Sequence, residues 1–174
     1  MVVMLFMSIG VVAYAALSAL VSSTWQSEWE KKGFVAIQLD VSDGSREIEP
    51  GETKSVNPVI TNNGTKDALA FIRFSYPTRS SASGAAGSAF TWTVGTGWSV
   101  VEEGVGYSVY GYNSPLESDA STEVALMPSV TLKNMSAADF RAMDVNIEMI
   151  GYLADAEEYG TDIEVAWSRI KNGN

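Results

Sequence analysis

The sequence predicts a mainly β protein: an antiparallel jelly-roll β-sandwich of roughly eight strands with short helices, preceded by an N-terminal hydrophobic helix or signal segment. Three observations lead to this prediction. Residues 1–27 carry no charged side chain. From residue 34 onward apolar and polar residues alternate, as on half-buried strands, and turn signals separate the alternating runs. The chain therefore divides into a hydrophobic segment, 1–32, and a β-sandwich domain, 33–174.

The composition restricts the chemistry of the protein. Its 174 residues include 21 acidic and 11 basic side chains, for a net charge of −10, and neither histidine nor cysteine. Nucleic acid and anionic membranes bind clustered Lys and Arg, so we expect the protein to bind neither. Without imidazole or thiolate, Ser-His-Asp triads, cysteine nucleophiles and the common zinc sites are excluded. The protein is not expected to be an enzyme.

The first 21 residues are uncharged and long enough to cross a bilayer as a helix. Three interpretations stay open. The segment is a signal peptide cleaved after the small-x-small run 13–15 (AYA), before Ala16. Alternatively, it is a retained membrane anchor with Trp25 and Trp29 at the interface. The third interpretation is a pilin-like helix packed in the core of a fibre, with residues 23–32 as its amphipathic end.

Assembly contacts are expected in this segment, because so much apolar surface must be buried by a membrane or a neighbouring subunit unless a peptidase removes it. The candidate assembly residues are its large apolar and aromatic side chains: Met1, Val2, Val3, Leu5, Phe6, Val11, Val12, Leu17, Leu20, Trp25 and Trp29.

The first half of the domain is predicted from alternation and turn chemistry. Residues 35–41 alternate and predict the first strand. A turn follows at 49–52 (EPGE), since proline presets φ and glycine accepts a positive φ. Residues 53–61 predict a strand whose Pro58 suits an edge or a bulge. A second turn signal is 62–64 (NNG).

The middle of the domain begins with residues 68–76, which are apolar on both faces and predict a central strand. Residues 77–88 are small and polar, which is typical of an exposed loop. Short strands are expected at 89–94, 98–101 and 107–113, where glycines separate the apolar runs.

Two longer strands are predicted toward the C-terminus. Residues 122–132 form one, with Pro128 indicating an edge or a bulge, and residues 144–153 form the other, with Glu148 facing solvent. The residues expected to face inward are Val124, Leu126, Val130, Leu132, Val145, Ile147, Met149 and Leu153.

Two short helices are predicted from capping signals. Ser136 stands three residues before Asp139 and indicates a single turn. Thr161 stands three residues before Glu164, a fuller capping box that opens a helix. The residues of that helix expected to face the sheet are Ile163, Trp167 and Ile170.

Acidic and aromatic groups offer candidate binding sites. Two acidic runs could hold calcium, namely Glu28, Glu30, Glu47, Glu49 and Glu52, and then Asp155, Glu157, Glu158 and Asp162. Neither matches a calcium loop, so solvated turns are favoured and no cofactor or metal is predicted. The aromatic residues Phe90, Trp92, Trp98, Tyr107, Tyr110 and Tyr112 could form a sugar-binding platform, but core packing is favoured. Asn63 and Asn134 begin glycosylation sequons.

A succession of segments resembles the TasA/camelysin family. The matching segments are 48–52 (IEPGE), 58–64 (PVITNNG), 68–73 (ALAFIR), Trp98, 107–116 (YSVYGYNSPL), 146–154 leading into 156–159 (AEEY), and Trp167 in the last helix. The resemblance covers residues 34–170 in order.

The resemblance implies a secreted jelly-roll subunit of extracellular biofilm-matrix fibres. A dedicated peptidase removes the signal peptide in that family, and the new N-terminal segment completes the sheet of a neighbouring subunit. Camelysins are described as surface metalloproteases, an activity not expected here because the sequence has no histidine. The implied partners are further copies of this protein and accessory matrix proteins. A membrane is expected only before assembly or through the N-terminal segment.

The sequence thus predicts a structural subunit of an extracellular or cell-surface filament, assembled head to tail through its N-terminal segment. The first alternative is a type IV-like pilin with a hydrophobic helical filament core. The second is a membrane-anchored, sugar- or calcium-binding surface domain. The fate of residues 1–20 separates the first two, since strand donation requires their removal and a helical core requires their retention.

Overall fold

The computed structural model describes residues 16–19, 37–40, 48–80, 86–143 and 146–172. Within these residues the protein is mainly β, and every pair of neighbouring strands but one is antiparallel. The predicted fold class is therefore confirmed at this level. Most of the predicted hydrophobic segment lies outside the described residues, and so does Val145.

The strands of the described residues, in sequence order, are β1 (Ala16–Ala19), β2 (Ile37–Asp40), β3 (Thr53–Ser55), β4 (Val59–Asn62), β5 (Ala68–Ser75), β6 (Thr78–Ser80), β7 (Ala86–Ser88), β8 (Phe90–Trp92), β9 (Trp98–Gly104), β10 (Tyr107–Tyr112), β11 (Ser129–Leu132) and β12 (Asn146–Asp155). The helices are α1 (Ala137–Ala142), α2 (Ala156–Tyr159) and α3 (Ile163–Asn172).

The largest sheet has the strand order β1-β12-β5-β10-β9. β5 lies in its middle, paired with β12 on one side and with β10 on the other, as its two apolar faces predict. β1 and β12 run parallel, whereas the sequence led us to expect antiparallel pairing throughout. Smaller sheets have the orders β3-β11-β8, β2-β4 and β6-β7.

Two apolar clusters lie on opposite faces of this sheet. The inner cluster joins it to the strands of the smaller sheets and includes Ile60, Ala70, Ile72, Phe74, Phe90, Tyr110, Val130, Leu132, Ile147 and Met149. The outer cluster lies under the last two helices and consists of Leu69, Phe71, Val109, Ala154, Tyr159, Ala166 and Trp167. Successive residues of β5 alternate between the two, which follows from the period of two in a strand.

The predicted strand over 53–61 is in fact two strands with a break between them. Asn57 has a φ of +36°, a left-handed conformation that asparagine tolerates better than most residues. Its side-chain Nδ2 donates to Ser55 Oγ at 2.7 Å. Pro58 is buried in the break, and its carbonyl accepts from Leu126 N at 3.0 Å. Proline therefore marks an interruption here rather than an edge.

The predicted strand over 122–132 is wrong in its first half. Only Ser129–Leu132 is a strand, and it lies in the middle of the three-stranded sheet rather than at an edge. Leu126, Val130 and Leu132 are buried as expected, but Val124 is 41% exposed. The backbone of residues 122–128 instead forms isolated hydrogen bonds to nearby segments. For example, Leu126 O accepts from Gly95 N at 2.7 Å. Because the backbone here is irregular, the side chain of Val124 does not follow the inward and outward alternation of a strand.

The inward face of β12 is as predicted for its described residues. Ile147, Met149 and Leu153 are each 1% exposed and belong to the inner cluster, while Glu148 between them is half-buried. The strand runs two residues further than predicted, to Asp155.

The helices confirm two predictions and correct one. α1 is capped by Ser136, whose Oγ accepts from Asp139 N at 3.1 Å. α3 places Ile163, Trp167 and Ile170 against the outer cluster, as expected. Its cap is Asp162 instead of Thr161, however, because Asp162 Oδ1 accepts from the amides of Glu164 and Val165.

Two segments predicted as turn or loop contain regular structure. The acidic run after β12 forms the short helix α2, capped by Asp155 and ended by Gly160 at a φ of +83°. Within residues 77–88, β6 and β7 pair as antiparallel strands, and the residues between them lie outside the described part. No helix in the described part is long and apolar enough to cross a bilayer.

Candidate assembly site

The predicted assembly segment contributes one strand, β1, to the described structure. β1 pairs in parallel with the start of β12, with Ala16 opposite Asn146 and Leu17 opposite Ile147. These four residues are therefore extended rather than helical. The other candidate assembly residues lie outside the described residues: Met1, Val2, Val3, Leu5, Phe6, Val11, Val12, Leu20, Trp25 and Trp29.

The position of β1 coincides with the predicted processing site. Ala16, the first residue of the strand, follows the 13–15 run directly. Cleavage before Ala16 would leave β1 as the beginning of the mature protein. The strand that pairs with β12 is therefore the part that such a cleavage retains.

The edge of β12 is well formed to receive a strand. On its other side, β12 pairs with β5 from Glu148 to Asp155, so the edge is fixed in the sheet. Ile147 and Met149 anchor it in the inner cluster. Without β1, the backbone donors and acceptors of 146–149 would lack these partners, and such a row readily pairs with another polypeptide.

The opposite edge of the sheet, β9, contains a β-bulge. Val109 pairs with Glu102, whereas the next residue, Tyr110, pairs with Val100, so Val101 is extra. The bulge reverses the direction of the side chains along the strand. Trp98 consequently packs in the inner cluster, whereas Glu102 reaches α3 on the outer face.

Glu102 is a polar centre that sequence reasoning missed. Its carboxylate accepts hydrogen bonds from Tyr107 Oη, Trp167 Nε1 and Lys171 Nζ, each at 2.7 Å. The ammonium of Lys171 and the other two donors lower the pKa of Glu102 from 4.5 to about 2. No short motif links these residues, which come from β9, β10 and α3. These hydrogen bonds attach α3 to the sheet, and both oxygens of the Glu102 carboxylate accept at least one of them.

Arg73 lies on the same outer face and stacks on Tyr107, with its guanidinium carbon 4.4 Å from the ring centroid. Its Nε is buried and has no hydrogen-bond partner within the described part of the protein. The Tyr107 ring stabilises the charge of the guanidinium through this cation–π contact. Arg73 is the last residue of the ALAFIR segment, and this contact gives it a packing role.

The acidic runs do not form a metal site within the described residues, where no group of three or more potential ligands converges. Glu52 pairs with Lys54 at 2.7 Å and accepts from Glu49 N at 2.8 Å. Asp155 pairs with Lys66 at 2.6 Å and caps α2. These carboxylates thus stabilise turns and helix starts. Glu28, Glu30 and Glu47 lie outside the described residues.

The six aromatic residues of the 90–112 region all pack against the core. Phe90, Trp98 and Tyr110 are buried in the inner cluster, and Trp92 and Tyr112 pack against it. Tyr107 packs against the outer cluster. Trp92 Nε1 donates to Tyr110 Oη at 2.8 Å. Core packing is thereby confirmed, and none of these rings is left as an exposed platform.

Asn62 is a buried polar residue that joins three segments. Its Nδ2 donates to the carbonyl oxygens of Lys66, Leu116 and Glu117, at 2.8, 3.0 and 3.1 Å. Its Oδ1 accepts from Gly64 N at 3.0 Å. The side chain therefore holds the β4–β5 turn against the segment that follows β10. The NNG pattern indicated a turn, but gave no signal for the distant partners.

No family model, no curated protein and no solved structure matches this sequence. The similarity to the TasA/camelysin family accordingly stays a prediction from the segments quoted above.

Proposed function

We propose that the protein is a structural, non-catalytic subunit of an extracellular filament that assembles head to tail through its N-terminal segment. The observation that carries the proposal is the pairing of β1 with the β12 edge. A strand from the predicted assembly segment occupies the edge where a strand from a neighbouring subunit would bind.

A strand donated by a neighbouring copy would form the same contacts with β12 as the subunit's own β1. The hydrogen bonds between β1 and β12 are backbone bonds, which are the same whether the strand comes from this subunit or from the next. Exchanging an identical element between subunits therefore costs little. When each subunit gives its strand to the next, the interface is heterologous and produces an open filament instead of a closed dimer.

The finer parts of the proposal concern export and fold. We expect cleavage before Ala16, secretion of the protein, and β1 at the free N-terminus of the mature subunit. A jelly-roll arrangement is the proposed topology, supported by the apolar cluster between the largest sheet and the smaller ones. The resemblance to the TasA/camelysin family points to a biofilm-matrix fibre, with further copies of this protein and accessory matrix proteins as partners.

The decisive experiment disrupts the pairing of β1 within the full-length protein. Ser18→Pro removes a backbone donor from the strand, whereas the control variant Ser18→Thr retains it and suits a strand. Electron microscopy of the secreted fraction should show filaments for the parent protein and for Ser18→Thr, and monomers for Ser18→Pro. Mass spectrometry of the first residue should identify Ala16.

Either of two results would contradict this proposal and favour another assembly model. If a polypeptide that begins at Phe34 forms the same filaments, the N-terminal segment is only an export signal. If residues 1–15 are retained and Val12→Asp, but not Ser18→Pro, prevents polymerisation, the filament is pilin-like with a helical core.

A further inference from the structure

The connection between β4 and β5 contains the dipeptide Asn63-Gly64 in an exposed turn. Glycine lacks the side chain that would hinder its backbone nitrogen from approaching the preceding asparagine. The Asn63 side chain forms no hydrogen bond within the described residues and is open to solvent. We propose that Asn63 is a modification site, which deamidates spontaneously to aspartate and isoaspartate in the folded protein.

The other asparagines nearby lack this combination of features. Asn62 is fully buried, and its Nδ2 donates to three carbonyl oxygens, so its amide group is neither mobile nor accessible. Asn57 precedes Pro58, whose nitrogen carries no hydrogen and cannot act as the nucleophile. The two adjacent residues Asn62 and Asn63 therefore differ sharply in reactivity.

The reaction needs only water. The Gly64 nitrogen loses its proton and attacks Cγ of Asn63. A bond forms between these two atoms, and the bond from Cγ to Nδ2 breaks to release ammonia. Water then opens the resulting succinimide. Opening at the Cγ carbonyl gives aspartate, and opening at the backbone carbonyl gives isoaspartate, in which the backbone continues through Cβ and Cγ.

The turn restrains this reaction without blocking it. Gly64 N donates to Asn62 Oδ1 at 3.0 Å, and this hydrogen bond must break before the nitrogen can attack. The folded protein should therefore react more slowly than the unfolded polypeptide. Isoaspartate adds a methylene group to the backbone between Asn62 and Gly64. The bonds that position Gly64, including Ser118 Oγ to its carbonyl at 2.6 Å, would then be strained.

The test is peptide mapping by mass spectrometry after prolonged incubation of the full-length protein at mildly alkaline pH. The peptide containing residue 63 should gain the mass difference between an amide and an acid, and should accept a methyl group from an isoaspartyl methyltransferase. Gly64→Ala, whose Cβ hinders the attack, should lose this conversion and retain the fold by circular dichroism. Mapping also separates residue 63 from the second Asn-Gly dipeptide at 172–173.

Three results would overturn the proposal. In the first, Asn63 keeps its amide in the folded protein while the same protein unfolded in urea converts. In the second, Asn62 converts instead of Asn63. In the third, Gly64→Ala converts as fast as the parent protein, which would exclude the Gly64 nitrogen as the nucleophile.

Discussion

Trp167 donates its indole hydrogen to the carboxylate of Glu102 at 2.7 Å, although the two residues are 65 positions apart. The bond connects α3 to β9, an edge strand of the largest sheet. Trp167 also packs against Phe71, with ring centroids 5.3 Å apart, so the helix is held by apolar and polar contacts together. Glu102 is the polar part of that attachment.

Glu102→Ala should destabilise the fold. The substitution leaves the nearly buried Trp167 Nε1 without its acceptor, and a buried polar group without a partner costs about 1–3 kcal/mol. Urea denaturation measures the change in the free energy of unfolding. The adjacent Glu103 is exposed and serves as the control, since surface substitutions usually stay within about 0.5 kcal/mol. Equal effects of the two substitutions would contradict the role assigned to Glu102.

Stability should fall in acid partly through Glu102. Its pKa is about 2 in the folded protein and has an ordinary value of 4.5. A group whose pKa is lowered by folding stabilises the protein above its unfolded pKa, and this stabilisation is lost as the pH falls toward the folded pKa. The unfolding free energy should therefore decrease between these two pH values. In Glu102→Gln the decrease should be smaller, and an unchanged pH dependence would disprove the contribution.

Gly111→Ala should weaken the packing of α3 on the sheet. A Cβ at this position of β10 would lie 3.1 Å from Ile163 Cδ1 and 3.1 Å from Phe71 Cε1, so the helix or the ring must move. Overpacking of this kind costs about 1–3 kcal/mol. Gly87→Ala is the control, because an added Cβ there meets no atom within 4 Å. Thermal unfolding should show a lower midpoint for Gly111→Ala alone.

Ile147→Ala should cost about 2–5 kcal/mol, the usual effect of shortening a fully buried isoleucine. Ile147 is 1% exposed and lies in the inner cluster. Glu148→Ala, on the half-buried face of the same strand, should have a much smaller effect in the same chemical denaturation experiment. A cost below about 0.5 kcal/mol for Ile147→Ala would show that the two faces of β12 were reversed.

Metal removal should leave the stability of the protein unchanged. Carboxylates such as Glu52, Asp155 and Asp162 are occupied by lysines or by backbone amides in the described residues. Dialysis against a chelator should therefore not shift the melting temperature. Because the sequence has neither histidine nor cysteine, the usual ligands of catalytic zinc, the purified protein should also not degrade casein. Casein hydrolysis that a chelator abolishes and zinc restores would contradict the non-catalytic proposal.

Much of the strand pattern could be predicted because its cause is local. β5 and β12 bury at least one apolar face along most of their length, so a period of two, or an unbroken apolar run, is visible in the sequence. The same holds for Ser136, whose cap contacts a residue three positions away. Such features can be predicted without knowing which distant residues they contact.

The predictions from sequence are wrong or incomplete where tertiary contacts override local patterns. Val124 continues an alternating run, yet its backbone carbonyl accepts from Trp98 Nε1 at 2.8 Å and the backbone there is irregular. Thr161 and Asp162 both suit a helix start, and alternation cannot choose between adjacent caps. The acceptor role of Glu102 and the three acceptors of Asn62 depend on residues brought together only by the fold.

The pairing of Ala16 with Asn146 also bears on the order in which the protein folds. β1 precedes β12 in the sequence and therefore leaves the ribosome before β12 does. Closing so large a loop is slow compared with forming the hairpin contacts between β9 and β10. The rest of the sheet should thus be complete before β1 arrives. During that interval the β12 edge is vacant, and a strand from another copy, at high local concentration, competes with the subunit's own.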